Sequence, residues 1–529
     1  MSLRYISKTN TFALFSNDEK VCQAAGLTKS TTARGPNGEL TWVTDVPYAV
    51  LQFYDQADAY AREQLEPLYR DFKASSAIDS DFDVPVPNGK VLMPFQRAGV
   101  EYASKRQHTL FGDSMGLGKT PQAISFANLI EAQRVLVIVP GSIRLQWQRQ
   151  IREWSTLRKV STYVVGKSKD GINPYSNFVV ISYDLVRHVG LHSILTAEKW
   201  DLVIADEAHM LKSPESLRCR AIFGGGKFTD YVSNHVERFI ALTGTPLLNR
   251  PRECYTIARG LAWEAVDWLS EEKFQYRFNP SGMMSNGHAL ELRGRLPELG
   301  ARLRCNFMVR RLKADVLKDL PDMQVEMVYV EQNGAIKEVL AREKMLDFKI
   351  EDLLNPLEAG IEGQISTYRK EMGIAMAPRV IDHLITLLDV MEIEKLVVFA
   401  HHKEVMDMIQ DALKDYGIVS VRGGMSINAR QFAVDSFVKN PKVRVFQGQL
   451  DAAGFGIDGL QSVASHVVVA EPAWSPGTNA QALDRLHRHG QHDNVVAQFM
   501  LVEGSLSERI LAVVLDKTHT IHETLDAHA

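Results

Sequence analysis

Cysteine is scarce in this sequence: four in 529 residues, Cys22, Cys219, Cys254 and Cys305, with no C-x-x-C pair among them. That argues against a disulfide framework or a zinc module and makes a reducing cytosol the expected compartment. Long apolar runs are missing too. None approaches the ~18 residues of a membrane-spanning helix, so no membrane partner is expected. Residues 1–10 lack the apolar core of a secretory signal, which points to the cytoplasm. A dominant charge sign is also absent, since 60 basic and 64 acidic residues leave a net −4. Any nucleic-acid surface must then be local, a lined cleft and not a basic body. The apolar fraction of 45% and charged fraction of 23% are ordinary for a globular chain. The length suggests roughly three or four domains.

Against this plain background one stretch stands out, Phe111-Gly112-Asp113-Ser114-Met115-Gly116-Leu117-Gly118-Lys119-Thr120. It follows a short apolar run and precedes a helical pattern at 121–131. Glycines let successive backbone N–H groups turn inward around phosphate oxygens, and the new helix adds its positive end. Lys119 would reach the β- and γ-phosphates, and Thr120 would ligate Mg²⁺. Asp113 stands where the general pattern has glycine, so the loop alone also reads as a simple turn before a helix.

Residues 1–88 form an opening segment with a turn signal, Gly-Pro-Asn-Gly, at 35–38. Leu40, Trp42, Tyr48, Leu51 and Phe53 offer it a small core, and 57–72 has a helical pattern. It reads as a packing module or as a substrate-recognition module. Pro85, Pro87, Asn88 and Gly89 read as a linker. Apolar runs at 135–139, 178–181, 202–205 and 239–242 then alternate with helical stretches, which predicts a parallel α/β sheet with phosphate at its carboxyl edge. The third run ends in Asp206-Glu207-Ala208-His209. Asp206 would hold the metal through water, and Glu207 would polarise the attacking water. Alone, the two acids also read as solvated loop carboxylates. The fourth run ends in Thr243-Gly244-Thr245-Pro246, hydroxyl residues able to bond backbone phosphates or relay position to the ATP site. Residues 260–320 are mainly helical in pattern and end in a basic cluster at Arg310, Arg311 and Lys313. That cluster reads as a solvated helix face, or as facing phosphate.

More helical pattern fills 335–390, and a second strand-and-helix set comes after it, with runs at 396–400, 418–421, 443–446, 467–470 and 495–502. It has no P-loop. It carries Asp484-Arg485-Leu486-His487-Arg488-His489. Arg485 and Arg488 are three apart, so on a helix both point one way. Two guanidinium groups there could stabilise transition-state charge on a γ-phosphate, or simply lace a surface helix with salt bridges. His487, His489 and His492 match no zinc spacing.

Together these segments resemble the Swi/Snf-like ATPases of helicase superfamily two, over about residues 92–512. Residues 92–99, with Gln96, look like the family's adenine-recognition motif, and the family's own P-loop carries Asp where Asp113 stands. Val139-Pro140-Gly141-Ser142 with Gln146-Trp147, and Ile181-Ser182-Tyr183-Asp184, are similar to the next two motifs. Residues 206–214 look like the family's Asp-Glu-Ala-His motif, residues 243–249 are similar to another of its motifs, and residues 310–317 resemble the signature that closes its first lobe. Residues 398–403, 452–457 and 471–476 resemble later ones. Departures are Ser114 for Glu, His489 for Ile, and Asp458 beside the glycine motif. The branch most like this chain contains the HepA-related, SMARCAL-type annealing helicases.

The resemblance implies an α/β fold of two RecA-like lobes with parallel sheets, helical insertions between them and a small N-terminal module. The expected divisions are 1–88, 89–325, 326–390 and 391–529. It implies ATP and Mg²⁺ between the lobes. Gln96, Asp113, Met115, Gly116, Leu117, Gly118, Lys119, Thr120 and Gly456 would lie at the nucleotide, with Thr120 and Asp206 at the metal. Lys119, Glu207, Arg485 and Arg488 would be catalytic. Ser142, Ser182, Thr243, Gly244 and Thr245 would lie along DNA. The expected activity is that of an ATP-driven monomer moving on double-stranded or branched DNA. It would remodel forks or anneal strands without processive unwinding. A strand-separating helicase, a nucleotide-gated DNA-binding scaffold and an RNA-directed enzyme are the rivals. Compactness suggests a bacterial or phage source; in a eukaryote the compartment would be the nucleus.

Overall fold

The computed structural model describes residues 1–247, 251–278, 295–345, 362–450, 457–473, 475–511, 514 and 524–526. Gly456 with its neighbours 451–455, Leu248, Asn249, Trp474 and part of the 335–390 helical stretch lie outside the described residues. The chain divides into two compact units, 1–316 with 519–529, and 317–518.

The first unit opens with an antiparallel sheet of β1 (Ser2–Ile6), β2 (Thr11–Phe15), β3 (Thr28–Arg34) and β4 (Leu40–Thr44), in the order β1-β2-β4-β3. Leu3, Phe12, Leu14 and Trp42 are buried in its core, with the Trp42 indole N–H donating to the Ser16 carbonyl at 3.1 Å. A helix, Ala59–Ser75, covers it, capped by the Asp58 carboxylate on the Ala61 N–H at 2.8 Å. Leu51 and Phe53 are buried there as expected. The module does not stand apart from the rest of the unit. Its core takes in Ala301 and Cys305 from the helix Leu296–Asn306.

The unit's second sheet is parallel: β5 (His108–Phe111), β6 (Val135–Val139), β7 (Thr162–Val164), β8 (Phe178–Ser182), β9 (Trp200–Asp206), β10 (Val236–Leu242) and β11 (Met308–Val309). Their order is β11-β5-β10-β9-β6-β8-β7. Strands covered on both faces by helices read as unbroken apolar runs, and all five residues of β6 are fully buried. The register pairs Leu242 with both Phe111 and Asp206, and Val139 with Ser182. The loops after these strands therefore emerge along one carboxyl edge.

The second unit has its own parallel sheet: β12 (Met323–Tyr329), β13 (Leu396–Ala400), β14 (Ile418–Val421), β15 (Val445–Gln449), β16 (His466–Val469) and β17 (Val495–Leu501), ordered β12-β17-β16-β13-β15-β14. Each of the two units thus carries one large parallel sheet, as expected for a pair of RecA-like lobes. The sequence reading split residues 323–329 between the first lobe and a helical insertion; they are instead an edge strand beside β17. Their alternation has a physical cause, since Val325, Met327 and Tyr329 share a face that is about half exposed. Residues 524–526, expected in the second lobe, belong to the first unit.

All four cysteines are free and buried. Burial pushes the thiols up, to about 11 for Cys22 and about 12 for Cys219 and Cys305, and raises Cys254 as well.

Candidate active site

Strand β5 ends at Phe111, and the chain turns through 112–118 into the helix Lys119–Leu129. Gly116 and Gly118 hold φ of +83° and +70°, a region that side chains rarely adopt. A Cβ on Gly118 would also strike the Gln96 amide. Lys119 Nζ donates to the carbonyls of Asp113 at 2.8 Å and Ser114 at 3.1 Å. Burial holds Lys119 below its usual range, while Asp113, Glu207 and Asp206 pull it back up. Thr120 follows in the first helical turn. Leu117 is buried, and Met115 lies against Gly244, where an added Cβ would meet its side chain.

Asp113 is fully buried, and its carboxylate faces Arg311. It accepts from Arg311 Nε at 2.8 Å and from Nη2, from the Arg311 backbone N–H at 3.0 Å, and from Gln122 Nε2 at 3.3 Å. Its contribution to the loop is anchorage, with its own carbonyl receiving Lys119. Gln96 is likewise engaged: Oε1 accepts from the Met93 N–H at 2.9 Å and Nε2 donates to the Leu117 carbonyl at 3.1 Å. It ties the preceding helix, Pro94–Ser104, to the loop.

Two strands along from β5, β9 delivers Asp206. Three donors fix it. Trp147 Nε1 donates to Oδ2 at 2.8 Å, the Glu207 N–H donates to Oδ1 at 2.9 Å, and the Tyr183 hydroxyl donates to the Asp206 carbonyl at 2.8 Å. Burial, then the neighbouring Glu207 charge, holds the Asp206 carboxyl above its usual range. Glu207 sits at φ +53°, ψ +49°, left-handed backbone for a non-glycine residue, which costs of order 1–3 kcal/mol. Its Oε2 lies 3.2 Å from His209 Nδ1, and that nitrogen lies 3.3 Å from Thr243 Oγ1. The Thr245 N–H donates to the same Thr243 hydroxyl at 3.1 Å. An unbroken line of contacts therefore runs from the loop after β10 to Glu207. Two adjacent, partly exposed carboxylates beside a hydroxyl-bearing helix start are an oxygen donor set suited to a hard divalent cation. Thr120 and Asp206 fit Mg²⁺ on that ground.

Of the remaining expected positions, Ser142 is partly exposed just after β6, while Ser182, Thr243 and Thr245 are buried. In the second unit Arg485 Nη1 donates to the Ile457 carbonyl at 2.9 Å, and Arg488 Nη1 lies 3.3 Å from Asp458 Oδ1. The expected helix under these arginines ends earlier, at Leu483, and both stand on the turns that follow. They share a direction because both reach the 457–458 segment, not because of helical spacing. Asp458, noted as a departure from the family pattern, is the partner of Arg488.

The basic cluster is a correction. Arg310 and Arg311 are 7% and 1% exposed, so they are neither a solvated face nor on a helix, which begins only at Lys313. They follow the short strand β11, and their charges are matched inside the protein. Arg311, Gln122, Trp147 and Tyr183 were not singled out as site residues. Trp147 and Tyr183 belong to the Gln-Trp and Ser-Tyr motifs, but nothing in the spacing of those motifs shows that the two side chains converge on Asp206.

Residues 95–379 match the SNF2-related domain, and residues 379–490 match the helicase conserved C-terminal domain. The chain belongs to the SNF2-related family. Among its relatives is the Caenorhabditis elegans homolog of "SWI/SNF-related matrix-associated actin-dependent regulator of chromatin subfamily A-like protein 1". It is 32% identical over 446 residues, covering 80% of this chain and 61% of the relative. Another is the Mus musculus "DNA annealing helicase and endonuclease ZRANB3", 29% identical over 458 residues, covering 82% of this chain and 41% of the relative. The SNF2-related chain thus spans less than two thirds of either relative's length. A solved structure, the Sulfolobus solfataricus SWI2/SNF2 ATPase core in complex with dsDNA, matches at 22% identity and a TM-score of 0.40, covering 85% of this chain and 99% of that one. The motif resemblance and the family match agree.

Proposed function

We propose that this SNF2-related protein is a DNA-dependent ATPase that moves along double-stranded DNA and remodels branched or fork DNA without processive unwinding. The observation that carries this reading is the convergence of Lys119, Asp206 and Glu207 at one sheet edge, with Glu207 joined through His209 to Thr243. In this reading Gly116, Gly118 and the start of the helix Lys119–Leu129 receive the phosphates, with Asp113, Met115 and Leu117 shaping the loop. Lys119 leaves the two carbonyls it holds and binds the β- and γ-oxygens. Thr120 and Asp206 would hold Mg²⁺, which when bound would supply neutralisation of phosphate charge. Glu207 orients the attacking water and accepts its proton. Arg485 and Arg488 stabilise the charge that develops on the γ-phosphate. Gln96 serves adenine recognition from its seat beside Gly118, and Gly456 belongs to the nucleotide set.

Ser142 and Gly244, both partly exposed, face the DNA backbone in this reading, while the buried Ser182, Thr243 and Thr245 support that edge from behind and do not themselves touch DNA. Strain at the DNA is then felt at Glu207 through Thr243 and His209. Two observations favour fork or annealing work over strand separation: the relatives' names include annealing helicases, and the motifs follow that branch. The protein is taken to act as a monomer, with residues 1–88 an accessory module.

The test is steady-state ATP hydrolysis measured in parallel without nucleic acid and with single-stranded, blunt duplex, forked and RNA duplex substrates. Duplex or fork DNA should stimulate turnover strongly, with stimulation absent in Glu207→Gln. Negligible turnover on all five overturns the motor reading in favour of a scaffold. Efficient unwinding of a forked duplex overturns the non-unwinding part alone.

A further inference from the structure

The chain contributes to its first unit twice, through residues 1–316 and again through 519–529. The second contribution is built in, not merely adjacent. Leu525 is buried in the main core of the first lobe. The Thr524 carbonyl packs so closely on Gly300 that an added Cβ there would collide with it. Arg304, itself fully buried, donates from Nη1 to the Leu525 carbonyl at 3.3 Å.

The next residue meets the nucleotide loop. Asp526 takes the Arg310 guanidinium with both oxygens, from Nε at 2.9 Å and from Nη2 at 3.1 Å. Both side chains are 8% exposed. The remaining terminal nitrogen, Nη1, donates 2.8 Å to the carbonyl of Gly112, the first residue of the P-loop. The Gly112 N–H in turn donates to the Val309 carbonyl at 2.8 Å. A guanidinium is planar, so a bidentate carboxylate fixes the direction of its third nitrogen. Without Asp526, Arg310 would be a buried charge without its carboxylate, and burial of such a charge is strongly unfavourable. It would turn towards solvent or another acceptor and release Gly112. The neighbouring Arg311 holds Asp113, so two consecutive arginines fix the first two residues of the loop. Only the first of them depends on the returning segment.

We propose that residues 524–526 are part of the nucleotide site, with Asp526 a positioning residue that sets the root of the P-loop through Arg310. This rests on the P-loop being the nucleotide site. It makes phosphate binding in the first lobe depend on a segment that the chain reaches only after completing the second.

The test compares wild type, Lys119→Ala, Asp526→Asn, Asp526→Ala and Asp526→Glu as full-length chains. Binding of a fluorescent ATP analogue without DNA, KM and kcat, and Tm with and without ATP are measured. Asp526→Asn keeps the volume and guards against a variant that fails to fold. Asp526→Ala should weaken nucleotide binding on the order of tenfold, less than the ~100-fold that a 1 Å displacement of a reacting group costs. KM should rise more than kcat falls, and the ATP-induced gain in Tm should shrink. Asp526→Asn should show the same effect in smaller measure, and Asp526→Glu should recover part of the binding. A purely structural role would lower Tm equally with and without ATP and leave nucleotide affinity alone. That result, with wild-type binding abolished by Lys119→Ala, overturns this inference and leaves the site assignment standing. Nucleotide binding unaffected by Lys119→Ala overturns the site assignment and this inference with it.

Discussion

At Asp206 the decisive neighbour is an indole. Trp147 is 2% exposed and donates to the carboxylate oxygen not held by the Glu207 N–H. Removing a donor from a buried acceptor costs about 1–3 kcal/mol. Trp147→Phe keeps a six-membered aromatic ring in the pocket and removes that donor together with the pyrrole part of the indole. It should leave ATP binding nearly intact, lower turnover several-fold and raise the Mg²⁺ concentration needed for half-maximal hydrolysis, which a metal titration of ATPase rate would show. An unchanged Mg²⁺ requirement would count against a role for Trp147 in placing Asp206. A buried ion pair behaves more severely. Arg311 and Asp113 are 1% and 0% exposed, and loss of one member of such a pair costs about 3–5 kcal/mol. Arg311→Ala should therefore appear as a marked fall in Tm before it appears as a kinetic defect. At this scale the sequence was legible for residues whose chemistry is tied to a pattern, such as Lys119, Asp206 and Glu207. It was not legible for their holders. An arginine run looks the same whether solvent or Asp113 receives it, and only the pairing of distant strands brings Trp147 and Tyr183 to β9.

At the scale of elements, two neighbouring strands place the acids and the 243–245 loop side by side. Leu242 is in register with Asp206, so Thr243 and Glu207 leave the sheet together. His209 bridges them. Thr243→Val is nearly isosteric and removes the hydroxyl. It should preserve ATP affinity and basal hydrolysis but reduce stimulation by duplex DNA, measured as the ratio of rates with and without DNA. An undiminished ratio would argue that the signal takes another route. Strands covered on both faces were readable to within a few residues, because each is a closed apolar run. In the two parallel sheets three others were not. The triplet β7 and the pair β11 are too short to show a period. β12 is not a closed apolar run: it alternates, and its apolar residues Val325, Met327 and Tyr329 lie on the half-exposed face. The helix expected beneath Arg485 and Arg488 failed for a related reason: three-residue spacing fits a turn as well as a helix.

Over the whole molecule, the opening module is a structural member of the first lobe. Its core includes Ala301 and Cys305. Ser75, at the end of its long helix, accepts from Arg304 Nε at 2.9 Å through its hydroxyl and from the Arg310 N–H at 3.0 Å through its carbonyl. Deleting residues 1–75 should therefore lower Tm by more than about 5 °C and expose apolar surface to dye, an outcome a freely attached recognition module would not give. The sequence marked this segment as a small core with a helix but offered no sign of what that core leans on. The cysteines bear on how motion in such a molecule can be watched. A thiol reacts as its thiolate, and all four here are enclosed, with burial holding them protonated. Maleimide should leave the native folded protein almost unlabelled, as intact mass would reveal. A cysteine placed at Tyr175, 90% exposed in the first unit, and another at Phe432, 73% exposed in the second, would then be the only sites to take dye. A donor–acceptor pair attached there would report distance changes between the units during turnover, with no need to strip the natural cysteines first.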